Sequence, residues 1–292
     1  MHQHTDALVL ETAEAARRLR VEVLEMVFRA QTGHLGGTFS AAEIMAALYF
    51  HHLRVDPSNP RMPDRDRFIL SKGHAAPLLY AALAHRGFFP TAELETFRRF
   101  PTRLEGHPDL KLPGVEMVAG PLGHGIAVGV GMAWALARSD PKPSARSAPS
   151  ARAAKARVVV LLGDGELDAG LVWEGAMAAA KYRLGNLTAI VDVNGIQQTG
   201  ATADIMPLGS LEDKWRAFGW HVQEVHGHNV RELLDALERA DDVHATPSVI
   251  LARTTKGRGV GFLEYDHRWH GGIPNRAQYE QAMSELTRGS AA

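Results

Sequence analysis

The segment that most constrains the fold is VVVLLGDGELDAGLVWEGAMAAAKYRLGNLTAIVDVNGIQQTG, residues 158–200. Arg157–Leu162 and Leu187–Val193 are unbroken apolar runs of strand length, and Ala169–Leu184 between them is long enough for a helix. Strands covered on both faces read this way because neither face meets water, whereas a half-exposed antiparallel strand would alternate. The segment is therefore a βαβ unit, and the pattern repeats in Trp220–Val225, Val230–Arg239 and Ser248–Arg253. The expected class is α/β, an open, mostly parallel sheet with helices on both faces. With no internal repeat in view, residues 1–292 are expected to form a single domain.

Upstream, residues 7–30 carry Leu8, Leu19, Val23, Met26 and Val27 at helical spacing, and Gly33 is the expected stop. Ser40 and Glu43 form a capping-box pair ahead of Ile44, Met45, Leu48 and Tyr49, which predicts a helix over about 41–53. Residues 67–70 read as a short buried strand, Ser71–His74 as a strand-to-helix loop, and Ala75–Arg86 as a helix. From Phe97 to Gly125 no period emerges, and a loop of that length inside a compact domain points to function. Gly125–Ala137 is rich in small residues and reads as a helix packed closely on the sheet. Residues 139–156, rich in alanine, proline and serine without a large apolar side chain, read as a disordered insertion.

Composition removes several classes. The 32 basic and 33 acidic side chains leave a net charge of -1 with no long block of either sign, which argues against a nucleic-acid binder. The absence of cysteine removes disulfides, thiolate metal sites and a cysteine nucleophile. No stretch offers about 18 consecutive apolar residues, and the N-terminus lacks the basic-then-apolar order of a leader. A soluble, cytoplasmic chain that engages no membrane is the expectation.

In a parallel sheet, ligands gather beyond the carboxyl ends of strands. Gly163-Asp164-Gly165 stands at one such end, and Asn194 stands 30 residues later just past the next strand. Alone, Gly-Asp-Gly is a turn. In this setting the glycines allow a diphosphate near the backbone, while Asp164, the Asn194 amide oxygen and a carbonyl near Ile196 make an all-oxygen site for magnesium or calcium. No G-x-x-x-x-G-K-[ST] loop is present, which leaves a nucleotide-binding reading unsupported. Five histidines lie in glycine-bearing loops: His34, His74, His107, His124 and His270. Neutral imidazoles of this kind donate to phosphate, bind hydroxyls and move protons near pH 7. His2, His4, His51, His52, His226 and His228 lack such a context and are expected at the surface.

Gly163-Asp164-Gly165 through Asn194 resembles the thiamine-diphosphate motif. Gly33-His34-Leu35-Gly36-Gly37, Ser71-Lys72-Gly73-His74-Ala75, Gly106-His107-Pro108, Gly120-Pro121-Leu122-Gly123 and Trp269-His270-Gly271 resemble transketolases. The match runs from about residue 10 to 285 in order, but covers only the diphosphate-binding (PP) domain of a full-length transketolase. The chain is thus similar to the N-terminal subunit of a split, thiamine-diphosphate-dependent transketolase. That resemblance implies thiamine diphosphate and Mg2+ (or Ca2+), the metal held by Asp164, Asn194 and the Ile196 carbonyl. It places Gly163, Gly165, His74, Gly123 and His270 at the diphosphate and Leu122 and Ile196 beside the thiazolium. His34 and His107 would face the donor ketose, so His34, His107 and His270 are the implied catalytic residues. The implied reaction moves a two-carbon ketol unit from a ketose (phosphate) to an aldehyde acceptor.

In transketolases the glutamate that protonates the aminopyrimidine belongs to the second, pyrimidine-binding domain. A separate C-terminal subunit carrying it is therefore the implied partner, in an α2β2 heterotetramer, with this chain inactive alone. Two positions depart from the family pattern. Ala169-Gly170 stands where a glutamate-glycine pair is common, although Glu174 is retained, and His124 stands where glutamine is frequent. The alternatives are a subunit of a 2-oxoacid dehydrogenase or decarboxylase, and a catalytically silent scaffold subunit that keeps the fold.

Overall fold

A computed structural model describes residues 4–139 and 156–288. Apart from its first and last residues, the insertion expected at 139–156 lies outside the described residues. Five strands, β1 (Arg67–Leu70), β2 (Val158–Gly163), β3 (Leu187–Val193), β4 (His221–His226) and β5 (Ser248–Arg253), form one sheet in the order β1-β2-β3-β5-β4. Every neighbouring pair is parallel, with Val158 opposite Leu187 and Thr188 opposite Ser248. The helices are α1 (Asp6–Ala30), α2 (Gly36–Phe39), α3 (Ala42–Ala47), α4 (Ala76–His85), α5 (His124–Arg138), α6 (Gly170–Lys181), α7 (Thr202–Ile205), α8 (Leu211–Ala217), α9 (Val230–Asp241) and α10 (Arg276–Arg288). Among the described residues no helix is long and apolar enough to cross a membrane.

The unbroken apolar strands explain themselves once the layers are in place. Val158, Val160 and Leu162 of β2 join a cluster with Ile126 and Val130 of α5, Val172 and Ala176 of α6, and Trp215 of α8. Their neighbours Val159 and Leu161 point the other way, into a cluster built from α1, α3, α4 and α9. Successive side chains alternate faces, so a strand clad on both sides must be apolar at every position. At the sheet edge β4 (HVQEVH) keeps its polar residues half-exposed or exposed, which discourages pairing with a further strand.

Three expectations near the N-terminus need correction. Helix α1 stops not at Gly33 but at Gln31, which takes the left-handed conformation (φ 53°) and donates its N–H to the Phe28 carbonyl. The helix expected over 41–53 is instead α3 followed by a π-helical turn, Leu48–His52. No capping box forms, because both of its side chains have stronger partners elsewhere. Ser40 Oγ lies 2.6 Å from Asp192 Oδ2, and Glu43 Oε2 accepts from Arg20 at 2.5 Å and lies 2.9 Å from His228 Nδ1. The histidines expected at the surface also divide. His51 and His226 are exposed, His4 and His52 are buried, and the His228 ring is covered by its contact with Glu43. His2 lies outside the described residues.

The Arg20–Glu43–His228 group fastens α1 to α3 and to the loop after β4. Burial pushes the Glu43 carboxyl up, but Arg20 and His228 outweigh it and hold the group at about 2. Because this lies below the ordinary glutamate value of 4.5, the stabilisation is complete above that pH and fades as pH falls toward 2. Arg20→Met strands a buried carboxylate and should cost about 3–5 kcal/mol in urea unfolding at pH 7. The gap from the parent should narrow in acid, where a protonated Glu43 needs no cation. A loss under about 1 kcal/mol, the range of exposed pairs, contradicts this reading.

Candidate active site

Four strand ends converge on one cavity of about 290 Å³. Its wall includes Lys72 and His74 after β1, Gly163, Asp164, Gly165 and Glu166 after β2, Asn194, Ile196 and Gln197 after β3, and Lys256 after β5. Gly37, Leu122 and His270 complete the lining from α2, from the long loop before α5 and from the segment before α10. This is the carboxyl edge of a parallel sheet, where strands end abruptly and their following loops splay apart.

The floor is a network of buried charges. Asp192, fully buried at the end of β3, receives Lys72 Nζ at 2.5 Å, Ser40 Oγ at 2.6 Å, Asn194 Nδ2 at 3.1 Å and the Thr254 hydroxyl. Burial acts to raise its carboxyl, but the Lys72 charge and these hydrogen bonds prevail and hold it below the usual aspartate range. Glu166 performs a second tie. Its Oε1 accepts from Gly123 N at 2.7 Å and from the Ser71 hydroxyl, and its Oε2 accepts from Gly163 N at 3.0 Å. That places a carboxylate against the amino end of α5, where backbone N–H groups lack helical partners. Gly123 at this cap has φ +80°, and a Cβ there would meet the Ala169 methyl at 2.6 Å, so only glycine fits.

Asp164 bridges two loops. Its Oδ1 accepts from Gly165 N at 2.8 Å and its Oδ2 from Gly195 N at 2.6 Å. Burial, then the nearby Asp192 charge, push this carboxyl up to about 6 despite those two donors. A buried carboxylate in this condition calls for a compensating cation, and the oxygens around it suit a hard one: Asn194 Oδ1, the Ile196 carbonyl and Gln197 Oε1, which is buried without a hydrogen-bond partner. The Ile196 carbonyl accepts from Lys256 Nζ at 2.9 Å, leaving its second lone pair for a metal. The residues present therefore fit a magnesium ion and a diphosphate.

The opposite wall is cationic and imidazole-rich. Lys256 Nζ also reaches Gln197 O at 3.2 Å and His270 Nδ1 at 3.2 Å, and burial with the nearby Lys72 charge lowers its ammonium to about 8. The rings of His34, His74 and His270 form a triangle with centroid distances of 5.4, 5.4 and 4.9 Å. Burial is the main reason all three resist protonation, reinforced by Lys256 and, for His34, by Arg98: His34 falls to about 4, His270 to about 3 and His74 well below its usual value. A lysine ammonium donating to His270 Nδ1 requires the tautomer that carries its proton on Nε2.

Of the residues singled out in the sequence, His74, Leu122, Gly163, Asp164, Gly165, Asn194, Ile196 and His270 line the cavity. His34 joins through its ring contacts, and Gly123 stands behind the wall with its N–H committed to Glu166. His107 is set apart, half-buried in the long loop; the Tyr80 hydroxyl lies 3.1 Å from its carbonyl, and its charge bears on His34. Leu122 is 44% exposed at the lip, not packed in the core. Glu174 is exposed on α6, and Ala169, where the helix begins, offers no carboxylate to link it to a second site.

Residues 11–287 match the family model "Transketolase, thiamine diphosphate binding domain". The chain belongs to this family. It is 39% identical over 279 residues to a subunit of the apulose-4-phosphate transketolase of Phocaeicola vulgatus, covering 95% of each chain. It is 41% identical over 280 residues to the 6-deoxy-6-sulfo-D-fructose transketolase subunit SqwG of a Clostridium species, covering 96% of this chain and 97% of that one. The transketolase structure from Leishmania mexicana superposes with a TM-score of 0.86 at 30% identity, over 94% of this chain. The chain spans only 41% of that protein, so it matches subunit-length relatives end to end and longer transketolases in part.

Sequence reasoning about the transketolase site missed Lys72, Lys256, Asp192 and Glu166. Asp192 was the one with a signal, a lone carboxylate inside an apolar strand, which no buried strand tolerates without a partner. The histidine triangle makes the stability of the transketolase subunit depend on pH. Each ring binds its proton more weakly folded than unfolded, so its contribution is complete above about 6.5 and is lost as pH falls toward the folded values. Replacing His270 with asparagine removes one such site. Its unfolding free energy, measured in urea from pH 7 to 4, should fall less steeply on acidification than the parent's, and an equal slope would show that His270 does not carry this burden.

Proposed function

We propose that this chain is the diphosphate-holding subunit of a two-chain transketolase. It moves a two-carbon ketol unit from an anionic ketose to an aldehyde once a second chain supplies the pyrimidine-binding domain. The observation that carries this reading is the meeting, in one cavity, of the Asp164, Asn194 and Ile196 oxygens with the His74, His270 and Lys256 donors. Thiamine diphosphate, when bound, supplies the electron sink for breaking the carbon–carbon bond beside the ketose carbonyl.

The roles of the chain's own residues follow from their chemistry. Asp164, Asn194 and the Ile196 carbonyl would hold Mg2+, whose charge would compensate the buried Asp164 carboxylate. Gly163 and Gly165 keep the surroundings of the diphosphate free of side chains, and Gly123 behind them holds the start of α5 close to that wall. His74, and His270 through Nε2, donate to its oxygens without adding charge, while Lys256 adds it. Leu122 and Ile196 provide the apolar edge against the thiazolium. His34 and His107 lie toward Arg98, where a guanidinium and two imidazoles suit the hydroxyls and the anionic group of a ketose. The relatives' names specify a phosphate and a sulfo sugar, in keeping with that class of donor.

An assembly with a second chain is supported by an apolar surface that runs from the cavity lip along α5 and α6. Leu122 at the lip, Val128 and Trp134 on α5, and Met177 on α6 with Tyr182 at its end are all at least 36% exposed. We take this face to seat the second chain, in an α2β2 arrangement. Family membership favours ketol transfer over 2-oxoacid decarboxylation, and the intact metal donor set argues against a silent scaffold.

Calorimetric titration of thiamine diphosphate with Mg2+, into the chain alone and mixed with its cognate second subunit, tests the proposal. Tight binding and ketol transfer are expected only for the mixture. Asp164→Ala should weaken binding by on the order of 100-fold or more, beyond what loss of an outer contact to a metal ligand costs. Unchanged affinity in that variant, or no binding in the presence of the second chain, would sink it.

A further inference from the structure

A second ionic cluster lies at the other end of the molecule. Asp241, the last residue of α9, pairs at 2.9 Å with Arg157, the residue before β2, so this end of α9 lies at the amino edge of the sheet, opposite the cavity. One turn earlier on α9, Glu238 meets His4, just ahead of α1, and His51, in the π-helical turn after α3. One ligating atom from each of these three side chains lies within 4.8 Å of the other two. Among the described residues no other trio of histidine and carboxylate side chains does so.

The decisive member is His4. Its side chain is 4% exposed, yet Nε2 is buried without a hydrogen-bond partner. Two carboxylate oxygens, Asp235 Oδ1 and Glu238 Oε1, each lie 3.5 Å from that nitrogen without forming a hydrogen bond. A buried imidazole nitrogen facing two carboxylates and bonded to neither is costly unless something sits between them. The 3.5 Å between His4 Nε2 and Glu238 Oε1 suits an ion: ligands about 2.0–2.2 Å from a tetrahedral metal lie roughly 3.3–3.6 Å apart. His51 sets its ring edge-on to His4 at 5.4 Å, bringing the second imidazole.

We propose that His4, His51 and Glu238, with solvent in the fourth position, form a zinc site that fastens the start of α1 to α9 and to the π-helical turn. Two imidazoles and a carboxylate suit zinc, and with no cysteine in the chain they are the grouped donor set among the described residues. His4 is held in place from two sides: its carbonyl accepts from Arg231, and Thr5 beside it caps α1 by accepting from Leu8 N at 3.3 Å. His51 is exposed, so an ion reaches the site from that side. Lying away from the cavity, this ion ties elements together and takes no part in the reaction.

The full chain, stripped of metals and returned to Mg2+ buffer, tests this by titration with Zn2+ alone, read as bound zinc per chain and as the shift in thermal midpoint. The parent should take up one tightly held zinc and gain thermal stability. His4→Ala should lose that zinc and the gain. His51→Ala, at an exposed position, should bind at least tenfold more weakly. His270→Ala should keep the zinc, which separates this site from the histidine triangle. Co2+ in the parent should give the intense visible absorption of a tetrahedral ion. Parent protein that takes up no tight zinc, or His4→Ala and His51→Ala that both bind like the parent, would overturn the proposal.

Discussion

The contact on which the cavity depends is the buried pair of Lys72 and Asp192. Asp192 is reached by four donors from four parts of the chain: Lys72 past β1, Ser40 past α2, Asn194 past β3 and Thr254 past β5. Burying an ion pair is seldom a gain over apolar packing, because desolvation offsets the attraction. What it provides is register. An apolar core tolerates small slips, whereas a carboxylate with four specific donors is satisfied in one arrangement only. Lys72 Nζ also donates to the Gly37 carbonyl at 2.6 Å, so the loop carrying His34 is set by the same pair.

Glu166 repeats the device one layer out. By accepting from Gly163, Gly123 and Ser71 it ties the β2 exit, the start of α5 and the β1 exit into a single unit. The long irregular segment is thereby fixed at its far end, where the Ala119 carbonyl also lies where a Cβ on Gly73 would fall, at 2.1 Å. A loop without helix or strand is thus held by contacts to the sheet edge. That is how it brings Leu122 to the cavity and His107 within electrostatic reach of His34.

The sheet was legible because its signal is redundant: each strand is apolar at nearly every position, and one misjudged residue changes nothing. The metal donors and the loop histidines stood out because glycine-flanked polar residues at strand ends have few structural uses. The tertiary polar partners were not legible. Ser40 and Glu43 satisfy the local rule for a helix start, and only the three-dimensional arrangement offers them Asp192 and Arg20 in exchange. Lys256 sits near no motif, and it belongs to the site through a carbonyl 60 residues away in sequence. His4 gives no sign in the sequence of its burial, since α9, which covers it, lies more than 200 residues further on.

The electrostatics of the cavity explain why the imidazoles have the ionisation they do. His34 and His270 are kept neutral by burial and by cations, Lys256 for both and Arg98 for His34. An anion entering the cavity offsets the cationic part of that effect and leaves only the burial. The same ring that is a neutral donor before the anion enters then binds a proton more readily, and its titration moves toward the range where enzymes transfer protons near pH 7. Asp164 moves the other way when a cation settles on it, losing its proton to become a full carboxylate. Ligands of opposite charge at the two walls therefore shift the two sets of titrations in opposite directions. Burial remains the larger cause at both walls, so the charge of each ligand shifts the titration only part of the way from its present value.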